Sequence, residues 1–187
     1  ATRHLPIAAE QHEAAIRIWQ TSEHSASVTA IDIPPLQVTR QTAGEWTVVY
    51  DEGLIETIQR LRVERLPNET GGVLIGGFDV ERKTIYVVDT ILSPLDSQER
   101  RTLYIRGSAG LQEQLALACQ RTFDQLEYVG EWHSHPDGYS CLPSVDDLNV
   151  LAWLSSHMDT DGVPGVMMIA CGQAAHTVLL ANVQRPE

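Results

Sequence analysis

The chain has 187 residues, 43% of them apolar and 20% charged, which suits one globular domain with an appendage and excludes global disorder. Acids number 25 and bases 13, a formal charge of −12, so a generic binder of nucleic acid or of an anionic membrane is not expected, because either needs a cationic face. The charge is uneven: Thr122 to Gln184 holds no Lys or Arg, but contains Asp124, Glu127, Glu131, Asp137, Asp146, Asp147, Asp159 and Asp161. Cys119, Cys141 and Cys171 form no CxxC and are odd in number, so a disulfide framework is not expected and a reducing, cytoplasmic setting is. No signal peptide or membrane span is visible, since the most apolar run, Val163 to Cys171, is short and interrupted by Pro164.

In chain order, residues 1–45 read as an arm or linker, or as the tail of a preceding module. Gln11 to Glu23 has Ala15, Ile18 and Trp19 at helical spacing, and Thr21 to Gly44 is rich in Ser, Thr and Ala around Pro34-Pro35. The compact domain spans 46–187. Trp46 to Tyr50 predicts a strand. Leu54, Ile58 and Leu61 predict a helix that Pro67 ends. Gly72 to Phe78 and Thr84 to Leu92 predict two strands joined by a hairpin, and Ser93 to Gly107 a charged loop. Ser108 to Gln125 predicts a helix and Leu126 to His133 a strand. Ser144 to His157 predicts a helix with Leu148, Leu151, Ala152 and Leu154 inward. Gly165 to Ala170 and His176 to Val183 predict closing strands. The class is a mixed α/β or α+β layer on a central sheet.

The chemistry concentrates in Glu131-Trp-His-Ser-His-Pro136 and Leu142-Pro-Ser-Val-Asp-Asp-Leu148. His133 and His135 stand two apart at a strand end, so an extended backbone puts both imidazoles on one face, half of a divalent metal site. Asp146 and Asp147 open the next helix and offer the anionic ligand. Two His and one carboxylate leave a fourth position for water, the layout of a catalytic zinc. Ser144 and Asp147 also have the spacing of a helix cap. Gly71, Gly72, Gly76 and Gly77 are not a phosphate loop, because no Gly-Lys-Ser/Thr follows. Glu69, between Asn68 and Gly71-Gly72, reads by itself as a turn residue.

Taken together, Asn68-Glu-Thr-Gly-Gly-Val-Leu-Ile-Gly76, Gly130-Glu-Trp-His-Ser-His-Pro136 and Pro143-Ser-Val-Asp-Asp-Leu148 resemble the signature of the JAMM (JAB1/MPN/Mov34) metallopeptidases, in wording most like the prokaryotic JAB branch. The resemblance covers about residues 46–183. It implies a curved central β-sheet flanked by helices, similar to cytidine deaminases. It also implies Zn²⁺ held by His133, His135 and Asp147, with Glu69 as general base and Ser144 as a donor to the developing oxyanion. The gap from the second His to the Asp of Ser-x-x-Asp is one residue longer here than in eukaryotic deubiquitinating members. Asp146 fits the shorter spacing and Asp147 the Ser-x-x-Asp register, and Asp147 is chosen. Glu131 shares a strand face with His133 and is either a partner behind the ligand or a solvated acid. Cys141 is expected to be a packed thiol, and Trp132 to face the core.

The resemblance further implies hydrolysis of an amide bond after the C-terminus of a ubiquitin-like protein, beside E1-like and E2-like proteins of one operon, as in antiphage systems. Two alternatives are release of an amino acid from a sulfur-carrier protein and a non-catalytic MPN scaffold. Arg100, Arg101 and Arg106 in the charged loop either grip the partner or are solvated. Lys83 is the single lysine, a composition in keeping with work beside a lysine-conjugating system.

Overall fold

The computed structural model describes residues 16–21, 28–33, 37–158 and 162–181. The chain divides between Gln37 and Val38 into two compact units. In the first, β1 (Ile16–Thr21) pairs antiparallel with β2 (Val28–Ile33), Ile16 opposite Ile33. The helix expected over Gln11 to Glu23 is therefore corrected to a strand where the chain is described; the rest of that stretch lies outside the described residues. Ile16 and Ile18 alternate at the strand period, and so short a segment also satisfies a helical spacing.

The second unit is built on a seven-stranded sheet in the order β11-β10-β9-β5-β6-β4-β3. Its strands are β3 (Val38–Ala43), β4 (Trp46–Asp51), β5 (Gly71–Asp79), β6 (Thr84–Leu92), β9 (Glu127–Ser134), β10 (Gly165–Ala170) and β11 (His176–Ala181). β4–β6 and β9–β10 run parallel and the other pairs antiparallel. The sheet curves until its edge strands, β3 and β11, touch. The expected loop from Ser93 to Gly107 contains a small antiparallel hairpin, β7 (Gln98–Arg100) with β8 (Leu103–Ile105). Strands of three residues lie below the length at which an alternating pattern can be read.

Helix α1 (Glu52–Arg65) starts where Asp51 Oδ1 accepts the Leu54 N–H at 2.7 Å, satisfying a donor that the helix cannot. It ends at Leu66-Pro67, since proline has no N–H to continue. Helix α2 (Leu111–Arg121) and helix α3 (Val145–Met158) follow. Pleating sends alternate β5 side chains to opposite faces. Leu74 joins the main core with Leu54 and Ile58 of α1 and Leu154 and Met158 of α3, while Val73 and Ile75 pack with Leu111 of α2. Trp132 lies in the main core, with its indole N–H donated to Thr90 Oγ1 at 2.6 Å.

Of the α3 residues expected inward, Leu154 is buried and Leu151 half-buried, but Leu148 and Ala152 are exposed. The inward stripe is Asp147, Leu151, Leu154 and Met158, so a carboxylate takes its first position. The free-thiol reading is also corrected. Cys141 and Cys171 form a disulfide, their Cα atoms 5.7 Å apart, and Cys119 is left free. An odd count permits one pair, and the fold sets which, because the end of β10 lies beside the loop that follows β9.

β9 lies against β10 so closely that a Cβ on Gly130 would sit 1.8 Å from the Val166 carbonyl oxygen. Backbone cannot yield as a flexible side chain does. Gly130→Ala is expected to cost at least about 2 kcal/mol, a fall in melting temperature of roughly 4–8 °C by calorimetry.

Candidate metal centre

Three segments meet at one end of the sheet. β9 delivers His133 at its penultimate position and His135 just beyond its end, so the two imidazoles stand side by side, ring centroids 5.3 Å apart. Antiparallel pairing places Gly71 opposite His133. That register is continued by the Ser134 N–H donating to the Thr70 carbonyl at 2.7 Å and the Thr70 N–H to Ser134 Oγ at 3.0 Å. Glu69, next along, thereby comes to the level of His135. Glycine is required at 71, where a Cβ would lie 2.3 Å from the Tyr104 ring and 2.4 Å from the Trp132 carbonyl.

The third segment is the start of α3. Ser144 and Asp147 complete a reciprocal cap: the Asp147 N–H donates to Ser144 Oγ at 3.2 Å, and the Ser144 N–H to Asp147 Oδ2 at 2.6 Å. The cap fixes the Asp147 carboxylate facing the histidines. Its Oδ1 is 2.9 Å from His133 Nε2 and its Oδ2 3.3 Å from His135 Nε2. Asp146, one residue earlier, lines the same cavity but is not in this group.

The His133, His135 and Asp147 side chains, all buried, offer one ligand atom each within 4.8 Å of one another. Tetrahedral ligands at zinc distances are about 3.3 Å apart, so the spacing suits a divalent ion. A second observation agrees. His133 Nε2 is out of line for a hydrogen bond to Asp147, and among the described residues it is the one buried side-chain nitrogen or oxygen without a hydrogen-bond partner. A buried ring nitrogen in that state is costly unless something else binds it. His135 Nδ1 lies 2.6 Å from the Ser140 carbonyl. That contact fixes Nδ1 as the protonated nitrogen and leaves the Nε2 lone pair toward the group.

Burial alone would raise the Asp147 carboxyl, but the two imidazoles beside it win and hold it well below the usual carboxylate range. Glu69 goes the other way: its burial outweighs the pull of His133 and His135, and its carboxyl is raised. A half-buried carboxyl with raised proton affinity beside ionised Asp147 is a pair in different protonation regimes, as acid–base work requires.

Glu69, the two histidines, Ser144 and Asp147 line a cavity of about 640 Å³. Its apolar walls come from Leu103, Tyr104 and Ile105 of β8 and from Val150 and Trp153 of α3. The sequence reading did not find these residues, although Val150 and Trp153 were visible as apolar positions outside the α3 core stripe. Burial pushes the Tyr104 hydroxyl up to about 12.

Glu131 does not stand behind His133. Its buried carboxylate accepts from Arg106 Nε at 2.8 Å and from the Tyr128 hydroxyl at 2.8 Å. Burial raises it, and Arg106 opposes the rise. Arg106 is therefore not a free loop cation. Arg100 contacts Gln98 Oε1 at 3.3 Å, within its own hairpin.

A family model described as prokaryotic homologs of the JAB domain matches residues 51–181. A CD-NTase/cGAS isopeptidase of Enterobacter hormaechei subsp. hoffmannii (strain UCI 50) is 35% identical over 141 residues, covering 75% of this chain and 76% of that protein. Two solved structures are also similar. A JAB1/MPN domain protein from Archaeoglobus fulgidus has a TM-score of 0.41 at 19% identity, over 72% of this chain and 91% of that one. A protein from Desulfitobacterium hafniense has a TM-score of 0.46 at 19% identity, over 70% and 80%.

Replacing Ser144 by Ala removes the cap acceptor. The expected cost is about 1 kcal/mol, seen as a melting temperature lower by roughly 2–4 °C.

Proposed function

The chain belongs to the family of prokaryotic JAB-domain homologues, and we propose from that premise that it is a zinc-dependent isopeptidase acting after the C-terminus of a ubiquitin-like protein. The observation that carries the reading is the meeting of three metal-competent donor atoms with Glu69 in one apolar-walled cavity. His133, His135 and Asp147 would hold the metal. Zinc, when bound, supplies Lewis acidity toward a carbonyl and a water acidic enough to attack near neutral pH.

Everything else falls to side chains. Glu69, with its raised proton affinity, takes a proton from the attacking water at a carboxylate oxygen and returns it to the departing amine nitrogen. Ser144 Oγ already accepts the Asp147 N–H, and its own O–H remains to be donated to the oxygen that gains charge. The apolar walls from β8 and α3 bound a slot for an extended peptide. We place the site in the sheet-bearing unit, which begins at Val38 rather than at the Trp46 expected from the sequence because β3 pairs with β4, and we read the residues before it as an appended module.

The isopeptidase name of the 35% identical relative favours deconjugation of a ubiquitin-like protein over release of an amino acid from a sulfur carrier. The complete donor set favours an enzyme over a scaffold. The same relative's CD-NTase/cGAS isopeptidase name supports, as partner, a conjugated protein substrate in a CD-NTase system. E1-like and E2-like proteins as partners belong to the proposal alone. Among the described residues no helix is long and apolar enough to cross a membrane. A cytoplasmic site of action belongs to the same proposal and rests on the proposed conjugation system alone, because the Cys141–Cys171 disulfide removes the cysteine argument for a reducing compartment.

Incubation with fusions of a ubiquitin-like protein encoded beside the gene is expected to release the mature C-terminus, and a chelator to stop it. Cleavage that continues after complete zinc removal would sink the reading. Metal analysis is expected to find about one zinc per chain, lost in Asp147→Ala and kept in Asp146→Ala; the reverse pattern moves the ligand by one residue. Glu69→Ala should keep its zinc and lose cleavage by at least about 100-fold, as loss of a general base does.

A further inference from the structure

Helix α1 buries Leu54, Ile58 and Arg62 on one line, so a guanidinium occupies what the spacing makes a core position. Arg62 is only 3% exposed, and a charge so placed must have partners to persist. Its partners are not in its own helix. Arg62 Nε donates to the backbone carbonyl of His135 at 2.8 Å, and Arg62 Nη2 donates to Asp137 Oδ1. The turn at Gly172 closes over the pair, where a Cβ would come within 3.1 Å of Asp137 Oδ1.

His135 lies past the last residue of β9, so its peptide has no β5 partner in the sheet ladder. It is held instead by single contacts from three segments. The His135 N–H donates to the Ala170 carbonyl at 2.8 Å, its Nδ1 meets the Ser140 carbonyl at 2.6 Å, and its C=O accepts from Arg62. The first two contacts belong to the β9–β10 neighbourhood. The third ties the His135 peptide to a helix more than seventy residues earlier in the chain. A buried guanidinium near a divalent cation would repel it, but Asp137 balances the charge. What Arg62 transmits is thus geometric: the plane of the His135 peptide, and through it the aim of Nε2.

We propose that Arg62 is a positioning residue for the metal ligand His135, with Asp137 as its counterion. The proposal rests on the metal reading above. It assigns to α1 a function in metal affinity as well as in packing. The guanidinium suits this because Nε and Nη2 can serve a carbonyl and a carboxylate at once in fixed geometry, which an ammonium cannot.

The test uses the full chain as wild type, Arg62→Met, Arg62→Lys and Asp137→Asn. Zinc affinity is measured by competition with a chromophoric chelator, donor geometry by the visible spectrum of the Co²⁺ form, and folding of the metal-free chain by thermal melting. Arg62→Met is expected to weaken zinc binding by roughly 10–100-fold, as loss of a group behind a ligand does. Arg62→Lys keeps the charge and most of the bulk; it should still fold without metal, melting somewhat below wild type, yet bind zinc more weakly and show an altered Co²⁺ spectrum. Asp137→Asn should show a smaller loss. If Arg62→Met does not fold without metal, Arg62→Lys decides. A folded Arg62 variant with wild-type zinc affinity and Co²⁺ spectrum overturns the proposal and leaves Arg62 a packing residue. A wild-type chain that binds no zinc overturns the metal reading itself, and the proposal with it.

Discussion

The site depends on the register between β5 and β9. Gly71 stands opposite His133, and the hydrogen bonds between Thr70 and Ser134 carry that alignment past the paired segment, so Glu69 and His135 end level. A slip of one residue would turn every side chain of β9 to the other face, putting Trp132 into the cavity and the histidines into the core. Burial enforces the register from the other side. Trp132 fills the main core and hydrogen-bonds Thr90, while Val73 and Leu74 commit to opposite faces of β5. The geometry of the donor set is therefore a by-product of core packing.

Electrostatics is arranged across segments. Between Thr122 and Gln184 there is no Lys or Arg, yet cations from elsewhere reach in. Arg106 takes the buried Glu131, and Arg62 takes Asp137. The acids left facing the cavity are Glu69, Asp146 and Asp147, so its negative character is more local than the sequence suggested. Burying Glu131 without Arg106 would cost several kcal/mol, which makes the pair a fixed part of the wall between β8 and β9.

Much of the centre was legible because its residues fall in short contiguous segments whose local periodicities place them: two imidazoles at strand spacing, and a Ser and an Asp at cap spacing. The helices of the sheet-bearing unit and its main-sheet strands from Trp46 on were legible for the same reason, whereas β3, an edge strand exposed along its whole length, carries no apolar alternation and fell within the stretch read as an arm. Two features that escaped depend on contacts between distant segments: the Arg106–Glu131 pair and the joining of Cys141 to Cys171 leave no periodic trace. The β7–β8 hairpin is local, but its three-residue strands are too short to show one. Two signals were present and unused. Arg62 continues the stripe of Leu54 and Ile58, and Asp147 begins the stripe of Leu151, Leu154 and Met158. A charge in an inward stripe costs stability unless it is partnered, and so marks a place where packing has yielded to another demand.

The disulfide gives the donor set an unequal architecture. Closing Cys141 onto Cys171, 30 residues on, makes a covalent ring that includes Ser144, Asp147, all of α3 and β10. In the chain-entropy account, a ring of that size removes about 3.5 kcal/mol of freedom from the unfolded chain. His133 and His135 lie outside the ring, on the open chain leading to it. An ion bound by all three would fasten the open chain to the ring, non-covalently and reversibly, in addition to the covalent bond that closes the ring itself.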